Sequence, residues 1–116
     1  MIDIKNKSIF LSGPMSGIEN YNVEAFCEAH AKLKKFNTGY VYNPAIAYLC
    51  YGDKHMTHEH WMEKSIKELL AGIDGFKYDY LIQLDGWEDS DGARLEAEVA
   101  GACGIKVVSL AEVLGE

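Results

Sequence analysis

The alternation of short apolar runs with longer helical segments constrains the fold of this chain more than any other feature. The apolar runs each stop at a polar residue, as buried strands do, and they cover residues 8–11, 40–42, 79–84 and 105–108. Apolar residues at helical spacing predict helices over residues 22–37, 61–73 and 93–103 and a last turn over residues 110–114. Because strands joined by helices pair in parallel through right-handed crossovers, we expect an α/β fold with a mostly parallel sheet of four to five strands.

The segment before the helix that begins at Trp61 has no clear hydrophobic period. We therefore predict that residues 45–60 form a loop with one helical turn. This segment contains Cys50, His55, His58 and His60, but their spacing provides no second pair of ligands for a closed tetrahedral zinc site. We interpret them as surface histidines and predict that the protein uses no metal.

The size and charge of the chain restrict what it can bind. Its 116 residues contain no repeat and no linker, so we expect one domain over residues 1–116. The 18 acidic and 11 basic side chains leave a net charge of -7, which argues against binding long nucleic acid through its phosphates. Three cysteines without CxxC spacing are typical of reduced thiols. With no membrane-length apolar run and no signal peptide, we expect a cytoplasmic protein that does not enter a membrane.

Ligands of parallel α/β sheets bind beyond the carboxyl ends of the strands. Three loops follow predicted strands, at residues 12–22, 43–44 and 85–92, and we expect them to converge on one pocket. In the first loop, Gly13 and Gly17 permit close approach of the backbone, and the amides of the next helix can receive an anion. The same pattern fits a plain turn equally well.

The helix over residues 93–103 presents its side chains in stripes of different character. Small residues at i, i+4 spacing surround a single large polar group, Glu96, in the stripe formed by Gly92, Glu96, Ala100 and Cys103. The neighbouring stripe is predicted to face the core and consists of Leu95, Val99 and Ala102. Arg94 and Glu98 are predicted to pair on the solvent side, and Cys27 and Cys103 to be small core residues.

A carboxylate beside small residues near the end of a strand suits attack on the anomeric carbon of a sugar. From spacing alone, a solvated helix glutamate explains Glu96 somewhat better than this interpretation does. Asp85 directly follows the third strand, so among the loop carboxylates it has the best claim to reach the pocket. Ser90 is placed to cap the helix, to contact a ligand, or to do both. Trp87 lies in a glycine-flanked loop and is the aromatic residue best placed to stack on a planar base.

These motifs together resemble a known family. The segment from Phe10 to Gly17, the triplet Asn20-Tyr21-Asn22, the pair Asn43-Pro44 and the block Gly86-Trp87-Glu88-x-Ser90-x-Gly92-Ala93-x-x-Glu96 are similar to small phage and prophage proteins of the nucleoside 2-deoxyribosyltransferase-like superfamily. The resemblance spans nearly the whole chain, and the block that ends at Glu96 is its specific part. It implies a flavodoxin-like (Rossmann-like) three-layer fold.

The resemblance also implies an activity, namely cleavage or exchange of the N-glycosidic bond of a 2′-deoxynucleoside or its 5′-monophosphate. Glu96 takes the position of the nucleophile that forms a covalent deoxyribosyl-enzyme, and Asp85 is the candidate proton donor to the base. The substrate would be bound by Gly13, Pro14, Met15, Ser16, Gly17, Asn20, Tyr21, Asn43, Trp87, Ser90 and Gly92. Ser90 occupies the place of a phosphate-contacting serine in the nucleotide hydrolases of this superfamily, so we prefer hydrolysis over base transfer. No organic cofactor is expected, and relatives complete their pockets with a neighbouring subunit, so we expect a homo-oligomer.

The chain departs from the family pattern at four positions, one of which is Asp85, where a proline is common before Gly86-Trp87. Where the family often has a tyrosine that orients the nucleophile, this chain has Phe10, and where phosphate-binding members have an arginine it has Ser16. Many relatives carry an aspartate in the second helix at the position of Ser65. These departures leave open an alternative, a non-catalytic protein that binds or sequesters a nucleotide on the same fold.

Overall fold

The computed structural model describes residues 2–15, 18–51 and 57–116, with only the backbone of Asn20, Cys50 and Tyr51. Its strands are β1 (Ile9–Ser12), β2 (Val41–Tyr42), β3 (Tyr80–Gln83) and β4 (Lys106–Ser109). Its α-helices are α1 (Val23–Lys34), α2 (Pro44–Tyr51), α3 (His58–Ala71), α4 (Asp91–Ala102) and α5 (Leu110–Leu114), and single 3-10 turns cover Glu19–Asn22 and Trp87–Asp89. All four predicted strands are therefore confirmed, with boundaries within two residues of those expected.

The strands form one parallel sheet in the order β2-β1-β3-β4. Ile9 of β1 lies opposite Val41 on one side and Tyr80 on the other, and Tyr80 lies opposite Lys106. β2 lies on one side of β1, and β3 and β4 lie on the other side. The point at which the connections between strands change direction is therefore between β1 and β3, at the centre of the sheet. Because all strands are parallel, their carboxyl ends share one edge, and loops that follow β1 and β3 meet there.

Two apolar clusters cover the two faces of the sheet. Ile9 and Leu11 belong to a cluster that contains Phe26 of α1 and Val113 of α5. The intervening Phe10 belongs to the other cluster, which includes residues of α3 and α4: Leu69 and Ala100. Since side chains alternate between the faces of a strand, α1 and α5 cover one face and α3 and α4 the other. The fold is the expected α/β architecture of the flavodoxin-like three-layer type.

The prediction of a loop over residues 45–60 was wrong for the described residues of this segment, and its residues 52–56 lie outside the described ranges. The segment contains α2 and the beginning of α3, which starts three residues before Trp61. α2 is apolar around its whole circumference, from Pro44 to Leu49, so it shows no amphipathic period. Thr57 sets the start of α3, because its hydroxyl accepts a hydrogen bond from the backbone N–H of His60.

The prediction of which face of α4 is buried was wrong in part. Its buried side chains are Ala93, Glu96 and Ala100, whereas Leu95 is 44% exposed. Ala102 is exposed as well, and of the predicted core stripe only Val99 packs against the second cluster. The small residues of α4 let the helix lie close to the sheet, so a stripe of small side chains faces inward and the larger Leu95 lies outside.

Two further side chains of α4 differ from expectation. Arg94 lies on the solvent side as predicted, but it pairs with Asp91 and donates to the carbonyl oxygen of Glu88, and no ion pair to Glu98 is found in the described part of the chain. Asp91 is one turn back at the amino end of the helix, where an acidic side chain is favourable and within reach of the guanidinium. Cys103 is exposed at the end of the helix and is not a core residue, while Cys27 is half-buried against the first cluster.

None of the helices among the described residues is both long and apolar enough to cross a membrane.

Candidate active site

Glu96 is the one acidic side chain that is buried among the residues the structure describes, with 8% of its surface exposed. Ser12 Oγ donates a hydrogen bond of 2.6 Å to Glu96 Oε1. Ser65 Oγ donates to Glu96 Oε2. Each carboxylate oxygen of Glu96 therefore has its own hydroxyl donor, one from the sheet and one from a neighbouring helix.

The local structure explains why these three side chains meet. Ser12 is the last residue of β1, and alternation along the strand turns it to the same face as Phe10, toward α3 and α4. Ser65 lies on α3, which packs beside α4. A Cβ on Gly92 would stand 2.8 Å from Met62 Sδ, so the missing side chain at Gly92 lets α3 approach the first turn of α4.

The ionisation of Glu96 reflects two opposing effects. Burial raises the pKa of Glu96 because it removes water from around the charged form. The hydrogen bonds from Ser12 and Ser65 oppose this shift because they stabilise the carboxylate. Burial is the larger effect, so the pKa of Glu96 lies above its usual value of 4.5.

Glu96 and Ser65 line a cavity of about 90 Å³ at the carboxyl edge of the sheet. Much of its wall is aromatic and consists of Tyr21, Tyr42, Tyr48 and Trp61. The rings of Tyr21 and Tyr48 have centroids 4.6 Å apart, and those of Tyr48 and Trp61 are 6.0 Å apart. Aromatic faces beside one polar group suit a ligand with a flat or weakly polar surface, such as a sugar or a base.

Tyr42 brings a phenol to the same cavity. Burial, together with the negative charges of Glu68 and Glu96, raises the pKa of Tyr42 to about 12. Its ring stacks on Phe10 with centroids 5.0 Å apart. Tyr42 therefore stays protonated at neutral pH and is a hydrogen-bond donor available to a ligand in this cavity.

A second, more open cavity of about 650 Å³ adjoins the first, and Ser90 and Gly92 line both. Its walls come from α1 and from the loop after β3, and its acidic lining residues are Glu28, Asp85, Asp89 and Asp91. Lys32, also in its wall, forms an ion pair of 3.4 Å with Glu28. This second cavity is therefore predominantly acidic.

The structure brings several of the predicted site residues together. Gly13, Met15, Tyr21, Ser90 and Gly92 line the cavity that contains Glu96. A Cβ on Gly13 would lie 2.9 Å from Leu84 Cβ, so the predicted close approach of the backbone at Gly13 is confirmed. Ser90 caps α4 as expected, because its hydroxyl accepts a hydrogen bond of 3.2 Å from the backbone N–H of Ala93.

Other predicted site residues lie elsewhere. Pro14 and Asp85 line the open cavity and not the one at Glu96, and Asp85 is exposed. Trp87 is half-buried and lines neither cavity. Ser16, Gly17 and the side chain of Asn20 fall outside the described residues.

The side chain of Asn43 stabilises the fold through hydrogen bonds. Its Oδ1 accepts a hydrogen bond of 2.9 Å from the backbone N–H of Ala45, which caps α2. Its Nδ2 lies 3.2 Å from His30 Nδ1, and the whole side chain is buried. Asn43 thus holds α2, which supplies Tyr48 to the cavity, and does not line that cavity itself.

Sequence reasoning missed the two hydroxyls that contact Glu96. Ser12 carried a usable signal, since it is the polar residue that ends a buried strand at the edge where ligands bind. Ser65 also carried a signal, because many members of the family that this sequence resembles have an aspartate at its position in the second predicted helix. Nothing in the periodicity indicated that both reach the same carboxylate.

Within the described ranges, no three His, Cys, Asp or Glu side chains are grouped so that they could hold a metal ion. His58 and His60 are exposed, as predicted, and His55 and the side chain of Cys50 fall outside those ranges. The two side chains that contact Glu96 are serine hydroxyls, and much of the remaining cavity wall is aromatic; neither group is a strong ligand for a metal ion.

Comparison with known proteins yields one match. A family described as "Domain of unknown function (DUF4406)" matches residues 7–109. No curated protein and no solved structure matches the chain.

Proposed function

Since the chain belongs to the DUF4406 family, whose function is unknown, we propose from the site that it cleaves or exchanges the N-glycosidic bond of a 2′-deoxynucleoside or its 5′-monophosphate. Glu96 is the proposed nucleophile. We prefer water over a second base as the acceptor, and we propose that the protein is cytoplasmic.

One observation carries the proposal: a buried carboxylate, hydrogen-bonded through both oxygens, lines an aromatic cavity at the carboxyl edge of a parallel sheet. Burial of a charged group is costly and is rarely kept for stability alone. A carboxylate in a site of neutral donors suits attack on a carbon that develops positive charge, as the anomeric carbon of a sugar does.

The reaction proceeds in two displacements. An ionised oxygen of Glu96 bonds to C1′ while the C1′–N bond breaks, and the electron pair of that bond leaves with the base, which takes up one proton. Asp85 is the candidate donor of this proton, because it lines the cavity that adjoins the site of Glu96. Water then attacks C1′, gives a proton to the Asp85 carboxylate that the first step leaves, and displaces Glu96, so the sugar is released with retained configuration.

The two adjoining cavities are consistent in size with such a substrate. The smaller cavity beside Glu96 has room for a group no larger than a sugar ring, and pockets for whole ligands of this class measure about 300 Å³ or more. The larger cavity, beyond Ser90 and Gly92, accommodates the remainder of the substrate.

The two candidate substrates differ by one phosphate. One feature of the site favours the binding of this phosphate and another disfavours it. Ser90 lies at the amino end of α4, where backbone amides attract an anion, and this supports a 5′-monophosphate. The carboxylates of Asp89 and Asp91 line the same cavity and repel a dianion, which supports an unphosphorylated nucleoside. Both substrate forms therefore belong in the first experiment.

The test is chromatography of free base after incubation with a panel of deoxynucleosides and their 5′-monophosphates. We expect the wild type to release base and Glu96→Ala to release none. Glu98→Gln is the matched control, because Glu98 lies on the same helix but is exposed. Release of base by Glu96→Ala at the wild-type rate would overturn the assignment of Glu96.

Ser90→Asp tests the phosphate contact in the same panel. Aspartate is a good N-cap, so the variant keeps α4 capped while it places a negative charge where the serine hydroxyl lay. If Ser90 contacts phosphate, activity on the monophosphate falls at least tenfold relative to activity on the nucleoside. An equal loss on both substrates would contradict a phosphate contact.

A second candidate function is a non-catalytic protein that binds a nucleotide. The observation that favours it is the absence of two side chains of the resembled family, since Phe10 stands at the position of the orienting tyrosine and Ser16 at that of the phosphate-binding arginine. Nucleotide binding that is unchanged in Glu96→Gln, with no base released by either form, would support this alternative.

A further inference from the structure

The hydrogen bonds of Glu96 are not equivalent. Ser12 is 1% exposed, belongs to β1 and does not line the cavity. Ser65 is half-buried, belongs to α3 and lines the cavity together with Glu96. The oxygen bound by Ser12, Oε1, thus faces the sheet, and the oxygen bound by Ser65, Oε2, lies on the side of the cavity.

We infer that Ser12 and Ser65 are positioning residues with different effects on Glu96: Ser12 anchors Oε1 and so aims the carboxylate, while Ser65 keeps Oε2, the attacking oxygen, ionised until substrate arrives. The inference rests on the proposed function, because it takes Glu96 as the nucleophile.

The surroundings of Glu96 explain why hydroxyl donors are needed. The ionisable groups that line its cavity are the phenols of Tyr21, Tyr42 and Tyr48 and the ammonium group of Lys64. The phenol of Tyr42 stays neutral at physiological pH, and the Lys64 Nζ lies over the ring of Trp61, 5.7 Å from its centroid. The hydrogen bonds from Ser12 and Ser65 stabilise the carboxylate of Glu96 against the effect of burial.

The two hydroxyls affect the attack in opposite senses. A hydrogen bond to the attacking oxygen favours the ionised form but also reduces its nucleophilicity, so Ser65 must give up this bond as the bond to C1′ forms. The hydroxyl of Ser12 contacts the other oxygen and keeps its hydrogen bond throughout. Loss of Ser12 should therefore slow the reaction at every pH, because Glu96 is no longer oriented. Loss of Ser65 should slow the reaction only in the pH range in which Glu96 becomes protonated.

The first readout is the titration of Glu96 followed by carbon-13 NMR of glutamate labelled at the side-chain carboxyl, with the signal assigned by Glu96→Gln. Ser12→Ala and Ser65→Ala should each raise the midpoint by about one pH unit, the typical effect of losing a hydrogen bond to a charged group. Ser65→Thr keeps a hydroxyl and should restore the wild-type midpoint.

Ser8→Ala is the matched control. Ser8 lies just before β1, and its hydroxyl donates a hydrogen bond of 3.2 Å to Asp79, far from the carboxyl edge of the sheet. This variant removes a hydroxyl–carboxylate bond of the same kind and should leave the titration of Glu96 unchanged. An unchanged midpoint in both Ser12→Ala and Ser65→Ala, or an equal shift in Ser8→Ala, would overturn the inference.

The second readout is the pH profile of base release. Ionised Glu96 is the reactive form, so the rate rises with pH through the pKa of Glu96, and in Ser65→Ala this rise moves to higher pH. Above the rise, Ser65→Ala should match or exceed the wild-type kcat, whereas Ser12→Ala should stay about tenfold to a hundredfold slower. Identical profiles for the two variants would show that the division between the serines is wrong.

Failure of this inference can be told apart from failure of the proposed function. Absence of base release by the wild type removes the proposed function and with it the distinction between attacking and anchored oxygen. The NMR titration needs no turnover, so it still decides whether the two serines control the ionisation of Glu96.

Discussion

A buried carboxylate affects the stability of a protein as well as its chemistry. Glu96 is held by two hydroxyls, and burial still raises its pKa above the value of 4.5 that it has when exposed. The folded state therefore binds the proton of this group more tightly than the unfolded state does. Its contribution to stability is fully present below the unfolded pKa and is lost as the pH rises through the folded pKa.

Replacement of Glu96 by glutamine should therefore stabilise the protein at neutral and alkaline pH. The amide keeps an oxygen acceptor for one serine and carries no charge to desolvate, so we expect a gain of about 1 kcal/mol at pH 8. The gain should shrink as the pH falls, because the wild-type carboxyl becomes protonated. The measurement is urea denaturation at pH 4, 6 and 8, with Glu98→Gln as the exposed control. A gain in the free energy of unfolding that is equal at all three pH values would show that it does not arise from the ionisation of Glu96.

At the scale of elements, the glycines that flank the site differ in what surrounds them. Gly13 follows β1, and a Cβ there would meet Leu84 Cβ at 2.9 Å, closer than side chains tolerate. Gly101 lies within α4, where a Cβ would meet nothing within 4 Å. The first glycine is required by packing at the carboxyl edge, whereas the second only weakens its helix.

Alanine substitutions at these two glycines should have opposite signs. Gly101→Ala should raise the free energy of unfolding by about 0.5–1 kcal/mol, since alanine is the better helix former. Gly13→Ala should lower it by about 1–3 kcal/mol, because the added methyl group forces β1 and the end of β3 apart. Both values come from chemical denaturation. A stabilising effect of Gly13→Ala would show that the loop after β1 has room that the structure does not indicate.

Two helices, α2 and α4, show the limits of reading the sequence. α2 has no hydrophobic period because apolar side chains surround it, so its only sequence signals are Asn43 as the cap and Pro44 in the first turn. α4 has a clear period, but the period does not tell which stripe lies inside. The choice is made by the distance between helix and sheet, which favours Ala93 and Ala100 over Leu95.

At the scale of the whole molecule, large apolar side chains remain exposed on the described surface around the edge of the sheet formed by β2. Tyr40 is 53% and Leu49 is 61% exposed, and Ile46 is also exposed. Such side chains on one side of a small acidic protein are typical of a surface that another molecule covers. The homo-oligomer stays a prediction, and this surface is where we expect its contact.

Sedimentation equilibrium should therefore give a mass of at least twice the 12.9 kDa of one chain at micromolar concentration. Burial of apolar surface drives the association, so the mass should persist at high salt, where contacts between charges are screened. Leu49→Lys tests whether this region takes part, and Glu98→Gln again provides the control. A mass of one chain across the concentration range would contradict the expected oligomer.

The sequence by itself determined the order of the strands and of the helices other than α2, the parallel sheet, and the edge at which the candidate site lies. These follow from local hydrophobic periods and from the handedness of crossovers, which need no knowledge of distant contacts. It also singled out Glu96 and predicted the cap at Ser90.

Only the tertiary structure decided what Glu96 contacts. Ser12 and Glu96 are separated by 84 residues and Ser65 and Glu96 by 31, and no local pattern links side chains so far apart. Only the tertiary structure also decided the position of Asp85, which lines the second cavity and not the cavity at Glu96. Hydrogen-bond partners depend on distances of a few ångströms between elements, and packing against the sheet, not the period of any one segment, sets those distances.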